Sequence, residues 1–186
     1  MKGAFIDRDG VIIEERGYAH QVEDLALLPG SVEALRGLQA AGFLLVVITN
    51  QSGIARGLYT EADYLAFTEF MQEQLLAAGV RLDSVQYCPH LPDARVPRYR
   101  ADCDCRKPRP GMLLRAMAAL DIDGGNSLLV GDRASDVAAG RAAGVARCFL
   151  VRSGNELRAQ DLTLADAVYD DLGACVRQLL GQERFA

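Results

Sequence analysis

The chain has 186 residues, of which 50% are hydrophobic and 24% charged, as expected for one globular domain over residues 1–186. A formal net charge of -5 and the lack of Trp disfavour a nucleic-acid-binding surface. No apolar run approaches the roughly 20 residues of a membrane span, and the N-terminus shows no signal-peptide pattern. We therefore expect a cytoplasmic protein without membrane contact, in which the five cysteines are thiols or metal ligands rather than disulfides.

Strand-like and helix-like segments alternate along the chain. In order, the predicted elements are a strand at 4–6, a helix at 31–41, a strand at 43–48, a helix opened by the capping box 60–63, a strand at 84–87, a helix at 111–120, a strand at 128–130, a helix at 134–143, strands at 148–151 and 167–169, and a helix at 172–180. This alternation predicts a doubly wound, mostly parallel, Rossmann-like α/β sheet. A ligand site is expected at the carboxyl ends of its strands.

Two carboxylates, Asp7 and Asp9, follow the first predicted strand, and Gly10 comes next. Because side chains two positions apart share one face of a strand, we expect both carboxylates to enter one site while Arg8 points away. Close carboxylates repel each other, so a proton or a divalent cation must offset their charge. Paired acids of this kind suit a metal-assisted nucleophile with a partner acid/base, and an ordinary acidic turn is the alternative.

Further polar residues follow the other predicted strands. Residues 49–53 (Thr-Asn-Gln-Ser-Gly) come after the second strand, and residues 131–133 (Gly-Asp-Arg) come after the fourth. Asp136 lies shortly beyond, either as a metal contact or as a support for its loop. A long loop after the third strand ends in Arg106 and Lys107. The strand ends therefore supply carboxylates, a hydroxyl group and cations to the expected site.

This set of groups suits phosphoryl transfer, which needs an in-line nucleophile, a metal ion and donors around the phosphoryl oxygens. Mg²⁺ prefers hard oxygen ligands, and the candidates are Asp7, Asp132 and the backbone carbonyl of Asp9. Thr49 is a candidate donor to the phosphoryl group. Lys107 is a candidate point cation that offsets its charge.

The order Asp-x-Asp-Gly, Thr-Asn, Lys-Pro and Gly-Asp-x-x-x-Asp resembles the four motifs of the haloacid dehalogenase (HAD) superfamily, over about residues 4–136. The resemblance implies that Asp7 is the nucleophile, which forms an aspartyl-phosphate, and that Asp9 is the general acid/base. Superfamily members often insert a large cap domain between the first two motifs. Because only residues 10–48 separate those motifs here, a capless HAD-like enzyme with an open site is expected.

Three cysteines and one histidine lie together in the long loop after the third strand. They are Cys88, His90, Cys103 and Cys105. Three thiolates and an imidazole make a closed tetrahedral set for structural Zn²⁺, and unpaired thiols in a long loop are the alternative. Because Arg106 and Lys107 follow directly, we expect zinc to pin the loop and to hold both cations at the mouth of the site.

Two zinc-loop families of the superfamily are similar to this chain, namely the D-glycero-D-manno-heptose 1,7-bisphosphate 7-phosphatases and the histidinol-phosphatases. Residues 17–20, 50–57 and 103–112 resemble the heptose family closely, and the gap of residues 91–102 between the ligand pairs also fits it. The resemblance implies a small sugar bisphosphate, dephosphorylated at C7 in activated-heptose and lipopolysaccharide-core biosynthesis. Arg133 departs mildly, because heptose enzymes often have Lys there.

A bisphosphate needs cations beyond the reacting phosphate. Arg106 is a candidate for a bidentate grip on the second phosphate, and Arg56 is a weaker one. Residues 15–18 are candidate contacts for sugar hydroxyls. The predicted substrate-binding residues are Glu15, Arg16, Gly17, Tyr18, Asn50, Gln51, Ser52, Arg56, Arg106 and Arg133.

Other interpretations stay open. Histidinol phosphate carries an amine that would favour nearby acids, so Glu14 and Glu15 keep that substrate possible. A catalytically silent, zinc-stabilised phosphate-binding module would lack the nucleophile or the acid, and this chain has both. A phosphatase for nucleic-acid ends is disfavoured by the acidic composition. We expect a monomer, and we expect His20, Cys148 and Cys175 to be structural.

Overall fold

A computed structural model describes residues 1–183, and its elements follow the predicted order. The strands are β1 (Gly3–Ile6), β2 (Leu44–Asn50), β3 (Ser84–Cys88), β4 (Leu128–Gly131), β5 (Arg147–Val151) and β6 (Ala167–Tyr169). The α-helices are α1 (Ser31–Ala40), α2 (Ser52–Arg56), α3 (Glu61–Ala77), α4 (Gly111–Leu120), α5 (Ala134–Ala142) and α6 (Leu172–Glu183). Within residues 1–183, none of the helices is long and apolar enough to cross a membrane.

The strands form one parallel sheet in the order β3-β2-β1-β4-β5-β6. At its centre, Phe5 of β1 lies opposite Val46 of β2 and Leu129 of β4. From β1 the chain builds outward to β2 and β3, returns to the other side of β1 as β4, and then builds outward to β5 and β6. The carboxyl ends of β1 and β4 therefore flank the topological switch point, where such sheets bind ligands. This topology confirms the predicted doubly wound, Rossmann-like fold.

Helices cover both faces of the sheet. Successive side chains of a strand point to opposite faces, so each strand contributes to both cores. In β1, Ala4 and Ile6 pack in the core with α1, α3 and α6, whereas Phe5 packs in the core with α4 and α5. Parallel strands covered on both faces must be apolar throughout, which explains the continuous run in β2. Cys148 and Cys175 are fully buried in these two cores, as expected, and burial raises the pKa of their thiols to about 11 and about 12.

Two features around β2 differ from the prediction. The strand continues through Thr49 and Asn50 instead of ending at residue 48, and the short helix α2 follows where no helix was predicted. A helix of five residues is too short to show a helical period in the sequence. Between β1 and β2 the described chain contains α1 and a 3-10 turn at Val22–Asp24, which is the short connection expected for a capless fold.

Candidate active site

A cavity of about 650 Å³ opens at the carboxyl ends of β1, β2 and β4. The carboxylates that follow β1 and the Thr49 hydroxyl of β2 line it, together with residues from the loops beyond the strands. The predicted substrate-binding residues that line it are Glu15, Gly17, Tyr18, Asn50, Gln51, Ser52, Arg56, Arg106 and Arg133. Arg16 instead pairs with Glu14 at the surface, at 2.7 Å.

Three carboxylates meet beneath the cavity. Oxygen atoms of Asp7, Asp132 and Asp136 all lie within 4.8 Å of one another, and all three residues are buried. Asp7 follows β1 and the other two follow β4, so the sheet brings them together at the switch point. Asp136 thus belongs to the carboxylate cluster, in addition to accepting a hydrogen bond at 2.9 Å from the Arg133 amide at the start of α5.

Lys107 lies inside this cluster, and only 4% of it is exposed. Its ammonium is 2.6 Å from Asp136, 3.0 Å from Asp7 and 2.9 Å from the carbonyl oxygen of Ile48. Burial disfavours the charged amine, but the two carboxylates outweigh it and raise the pKa of Lys107. The expectation that Lys107 sits at the mouth of the site is wrong, because its ammonium is buried in the floor, between two carboxylates and the Ile48 carbonyl oxygen.

Asp132 has one carboxylate oxygen that can accept a further ligand. Its Oδ2 accepts hydrogen bonds from the backbone and side-chain amides of Asn155, at 2.8 and 2.6 Å. Its Oδ1 is buried and has no hydrogen-bond partner among the described residues. A buried carboxylate oxygen without a donor is costly unless a cation satisfies it. Together with Asp7, this oxygen fits Mg²⁺, which takes carboxylate ligands and retains water.

The pKa values of the clustered carboxylates show the effect of their burial and mutual repulsion. Burial raises the pKa of Asp7 well above its usual value, and the nearby Asp136, Asp132 and Asp9 raise it further, against the opposing effect of Lys107. Burial and Asp136 also raise the pKa of Asp132. One ammonium therefore does not fully offset three carboxylates, and a divalent cation would restore the balance.

Asp9 stands apart from this cluster, in a different set of contacts. Arg8 donates to both of its carboxylate oxygens, through Nε at 3.0 Å and Nη2 at 2.9 Å. The prediction that Arg8 points away is therefore wrong. β1 ends at Ile6, so the alternation of a strand no longer governs these side chains. The carboxylate also accepts hydrogen bonds from Gln51 at 3.2 Å and from Thr49 at 3.4 Å.

The predicted zinc ligands converge. The Sγ atoms of Cys88, Cys103 and Cys105 are 3.0 to 3.5 Å apart, and His90 Nδ1 lies 3.4 Å from the Cys105 sulfur. Bonds of about 2.3 Å to a tetrahedral zinc ion would place sulfur atoms roughly 3.8 Å apart. The donor set therefore fits Zn²⁺, although no ion is part of the structure.

The cysteine loop is tied directly to the cavity. Asn50, at the end of β2, donates to the carbonyl oxygen of Lys107 and accepts from its backbone amide, each at 3.1 Å. Lys107 lies two residues after Cys105, and a cis peptide bond joins it to Pro108. Arg106, which lies between Cys105 and Lys107, lines the cavity and donates to the His90 carbonyl oxygen at 3.5 Å. The cysteine cluster thus lies next to both cations of the loop.

Four residues that line the cavity were not among those predicted, namely Arg8, Tyr59, Ser135 and Asn155. Arg8 donates to Asp9, Tyr59 donates to Gln51, and Asn155 donates to Asp132. Asn155 lies in the loop after β5, so the rule that polar residues follow strand ends would have found it. Tyr59 gives no comparable signal, because it lies in the turn between α2 and α3. His20, expected to be structural, stacks on the Tyr59 ring with centroids 4.7 Å apart.

Comparisons with known proteins agree with this geometry. Residues 104–175 match a family model described as HAD-hydrolase-like. The chain is 45% identical to the D-glycero-beta-D-manno-heptose-1,7-bisphosphate 7-phosphatase of Vibrio cholerae serotype O1 over 168 residues, which are 90% of each chain. It is 43% identical to the protein of that name from Escherichia coli (strain K12) over 180 residues, covering 97% of this chain and 94% of the relative.

A solved structure shows the same similarity in three dimensions. The D,D-heptose 1,7-bisphosphate phosphatase from B. bronchiseptica, in complex with magnesium and phosphate, superposes with a TM-score of 0.84 and 34% sequence identity. The superposition covers 98% of this chain and 99% of that one. The likeness therefore extends over the whole sheet and the cysteine loop.

Proposed function

The chain belongs to the family of D-glycero-beta-D-manno-heptose-1,7-bisphosphate 7-phosphatases, and from this premise we propose that it hydrolyses the C7 phosphate ester of the β-anomer of that sugar. The observation that carries the proposal is the buried cluster of Asp7, Asp132 and Asp136 around Lys107. Such a cluster offers a nucleophile and a magnesium site at the switch point of the sheet. Asp9 lies beside it with separate hydrogen bonds, as a second acid with a different task.

Asp7 is the nucleophile in this reaction. Its Oδ1 accepts a hydrogen bond from the Arg8 amide at 2.8 Å and forms an ion pair with the Lys107 ammonium at 3.0 Å, and both contacts fix the orientation of the carboxylate. When it attacks phosphorus, an Asp7–phosphorus bond forms and the bond to O7 of the sugar breaks. Lys107 acts by holding Asp7 and Asp136 and by offsetting negative charge, because its buried ammonium forms ion pairs with both carboxylates.

Asp9 moves the protons. In the first step it gives a proton to the departing O7, so that the sugar leaves as an alcohol. In the second step it takes a proton from water, whose oxygen attacks phosphorus and releases Asp7 and inorganic phosphate. Thr49 and the backbone around it line the same wall of the cavity and are proposed to contact the phosphoryl oxygens.

We propose that Asp7, Asp132 and the backbone carbonyl of Asp9 hold Mg²⁺, with Asp136 supporting Lys107. The ion, when bound, neutralises charge on the transferring phosphoryl group. We further propose that Cys88, His90, Cys103 and Cys105 hold a structural Zn²⁺. The unpartnered Asp132 oxygen and the convergent sulfur atoms support these two assignments.

Substrate choice is proposed to lie in the outer wall of the cavity. Arg106 and Arg56 are available there for the second phosphate, and Glu15, Gly17 and Tyr18 for sugar hydroxyls. Glu15 already accepts a hydrogen bond from the Gly17 amide at 2.8 Å and lies 3.7 Å from Arg133.

We also propose that the protein acts as a monomeric single domain in the cytoplasm, in the supply of activated heptose. A single six-stranded sheet, from β3 to β6, includes every strand of residues 1–183 and supports the one-domain assignment.

The test is phosphate release in the presence of Mg²⁺ from the β- and α-anomers of the heptose bisphosphate and from histidinol phosphate. We expect the highest kcat/KM for the β-anomer, and a clear preference for histidinol phosphate would overturn the substrate assignment. Asp7→Asn keeps the shape of the nucleophile but not its charge, and it should abolish turnover. Full activity of that variant, with deamidation excluded by mass spectrometry, would overturn the mechanism.

A further inference from the structure

The Asp9 carboxylate is surrounded by donors from three side chains. Arg8 reaches both oxygens, and Gln51 Nε2 and Thr49 Oγ1 reach Oδ2. Only 18% of the Asp9 side chain is exposed, so these protein donors occupy most of its surroundings. A bidentate guanidinium contact fixes the plane of a carboxylate as well as its distance.

Arg8 is itself held in place by the core. Its side chain is 1% exposed, and its Nη2 also donates to the carbonyl oxygen of Ala19 at 3.2 Å. The guanidinium carbon lies 4.9 Å from the Phe67 ring and 5.7 Å from the Tyr64 ring, both on α3. Aromatic faces attract a cation at such distances and restrict its movement. The contact with Asp9 therefore starts from a fixed support and not from a mobile surface arginine.

Gln51 is held in the same way, and both of its amide N–H groups are used. Its Nε2 donates to Asp9 and, at 2.8 Å, to Thr49, while its Oε1 accepts from the Tyr59 hydroxyl at 2.6 Å. The Tyr59 ring stacks on His20 and packs against Gly53 so closely that a Cβ atom there would overlap it. Gln51 is 2% exposed and therefore has no free N–H group to offer a substrate, even though it lines the cavity.

We propose that Arg8, Gln51 and Tyr59 are positioning residues that hold Asp9 for proton transfer to the leaving oxygen, and that Gln51 and Tyr59 do not recognise the sugar. The inference rests on the proposed role of Asp9 as the acid/base. Loosening these residues should slow the step that needs the Asp9 proton, whereas substrate binding and attack by Asp7 should remain.

The leaving group distinguishes this role from a general structural one. A sugar alkoxide needs the Asp9 proton to depart, but p-nitrophenolate departs without one. The experiment measures first-turnover release of heptose 1-phosphate and of p-nitrophenol from p-nitrophenyl phosphate, with Mg²⁺ present. We expect Tyr59→Phe to slow the sugar reaction about 5-fold, the loss expected for one hydrogen bond. Release of p-nitrophenol should change by less than about 2-fold.

Arg8→Lys keeps the charge but loses the two-point contact, and we expect the sugar reaction to slow on the order of 100-fold because the acid is misplaced. Tyr59→Phe keeps the ring and its packing, so the test does not depend on whether the Arg8 variant folds. KM for the bisphosphate should stay within about 2-fold in both variants. Tyr99→Phe is the matched control, because Tyr99 is as buried as Tyr59 and its hydroxyl donates to Glu61 at 2.9 Å, not to the residues around Asp9.

Equal slowing of both reactions would overturn the inference, as would a raised KM with an unchanged first-turnover rate, which would make Gln51 and Tyr59 substrate contacts. The activity of the wild-type enzyme shows which of the two proposals a negative result contradicts. If it does not release phosphate from the bisphosphate, the proposed function fails. If it does and the variants show no dependence on the leaving group, only the positioning role fails.

Discussion

Replacing Lys107 by Met tests whether the buried ammonium neutralises the carboxylate cluster. Methionine fills most of the same volume but removes the ion pairs with Asp7 and Asp136 and the hydrogen bond to the Ile48 carbonyl oxygen. Two buried carboxylates then face each other without a cation. Breaking a buried ion pair in this way costs about 3–5 kcal/mol. For a chain of this size, a loss of 1 kcal/mol lowers Tm by about 2–4 °C, so Tm of the metal-free protein should fall by roughly 6–20 °C.

Magnesium should recover part of this loss, because a divalent cation can replace the missing charge. We therefore expect Mg²⁺ to raise Tm more in Lys107→Met than in the wild type, even though the variant is catalytically impaired. The assay is thermal unfolding with EDTA and with saturating Mg²⁺. Lys2→Met is the matched control, since this lysine lies over the Phe43 ring, away from the cavity, and its loss should leave the Mg²⁺ effect unchanged. An equal Mg²⁺ effect in Lys107→Met and the wild type would refute the reasoning.

Three further outcomes are expected. Cys105→Ser should lower both the bound zinc measured by elemental analysis and the phosphatase activity, and unchanged zinc content with unchanged kinetics would contradict the role of the loop. Gly10→Ala should weaken Mg²⁺ binding measured by titration calorimetry, because a Cβ would lie 2.6 Å from Asp132 Oδ2; Gly30→Ala, with the same left-handed φ but open space, should not. Because the pKa values of Asp7 and Asp132 are raised, the metal-free protein should lose stability as pH rises above about 4, and the gain in Tm on adding Mg²⁺ should be larger at pH 8 than at pH 5. A gain of the same size at both values would speak against proton competition at the metal site.

Much of the site followed from the sequence because its determinants are local. Apolar runs and helix caps located the strands, and the parallel topology then required that polar residues after β1, β2 and β4 meet at one edge. The same reasoning placed Cys88 and His90 near Cys103 and Cys105, since ligand pairs are recognised by type and spacing. Asp7 and Lys107 were correctly brought together although residues 8–106 separate them.

Tertiary packing decided what local patterns cannot express. Arg8 turns back onto Asp9 because β1 ends at Ile6 and the aromatic rings of α3 hold the guanidinium. Lys107 is buried, and not at the surface, because Asp136 and the Ile48 carbonyl oxygen of β2 meet it from two other parts of the chain. These contacts depend on where distant segments pack, and the spacing of residues along the chain does not predict that packing.

The sequence by itself therefore determined the fold, the place of Asp7 in the site and the convergence of the three cysteines with His90, because each depends on residue type and short-range spacing. Only the tertiary structure decided how charge is distributed within the site. It placed one lysine among three carboxylates, left one Asp132 oxygen for a cation and gave Asp9 its own buried partners. The physical reason is that burial and Coulomb interactions depend on distances between atoms that are far apart in the chain.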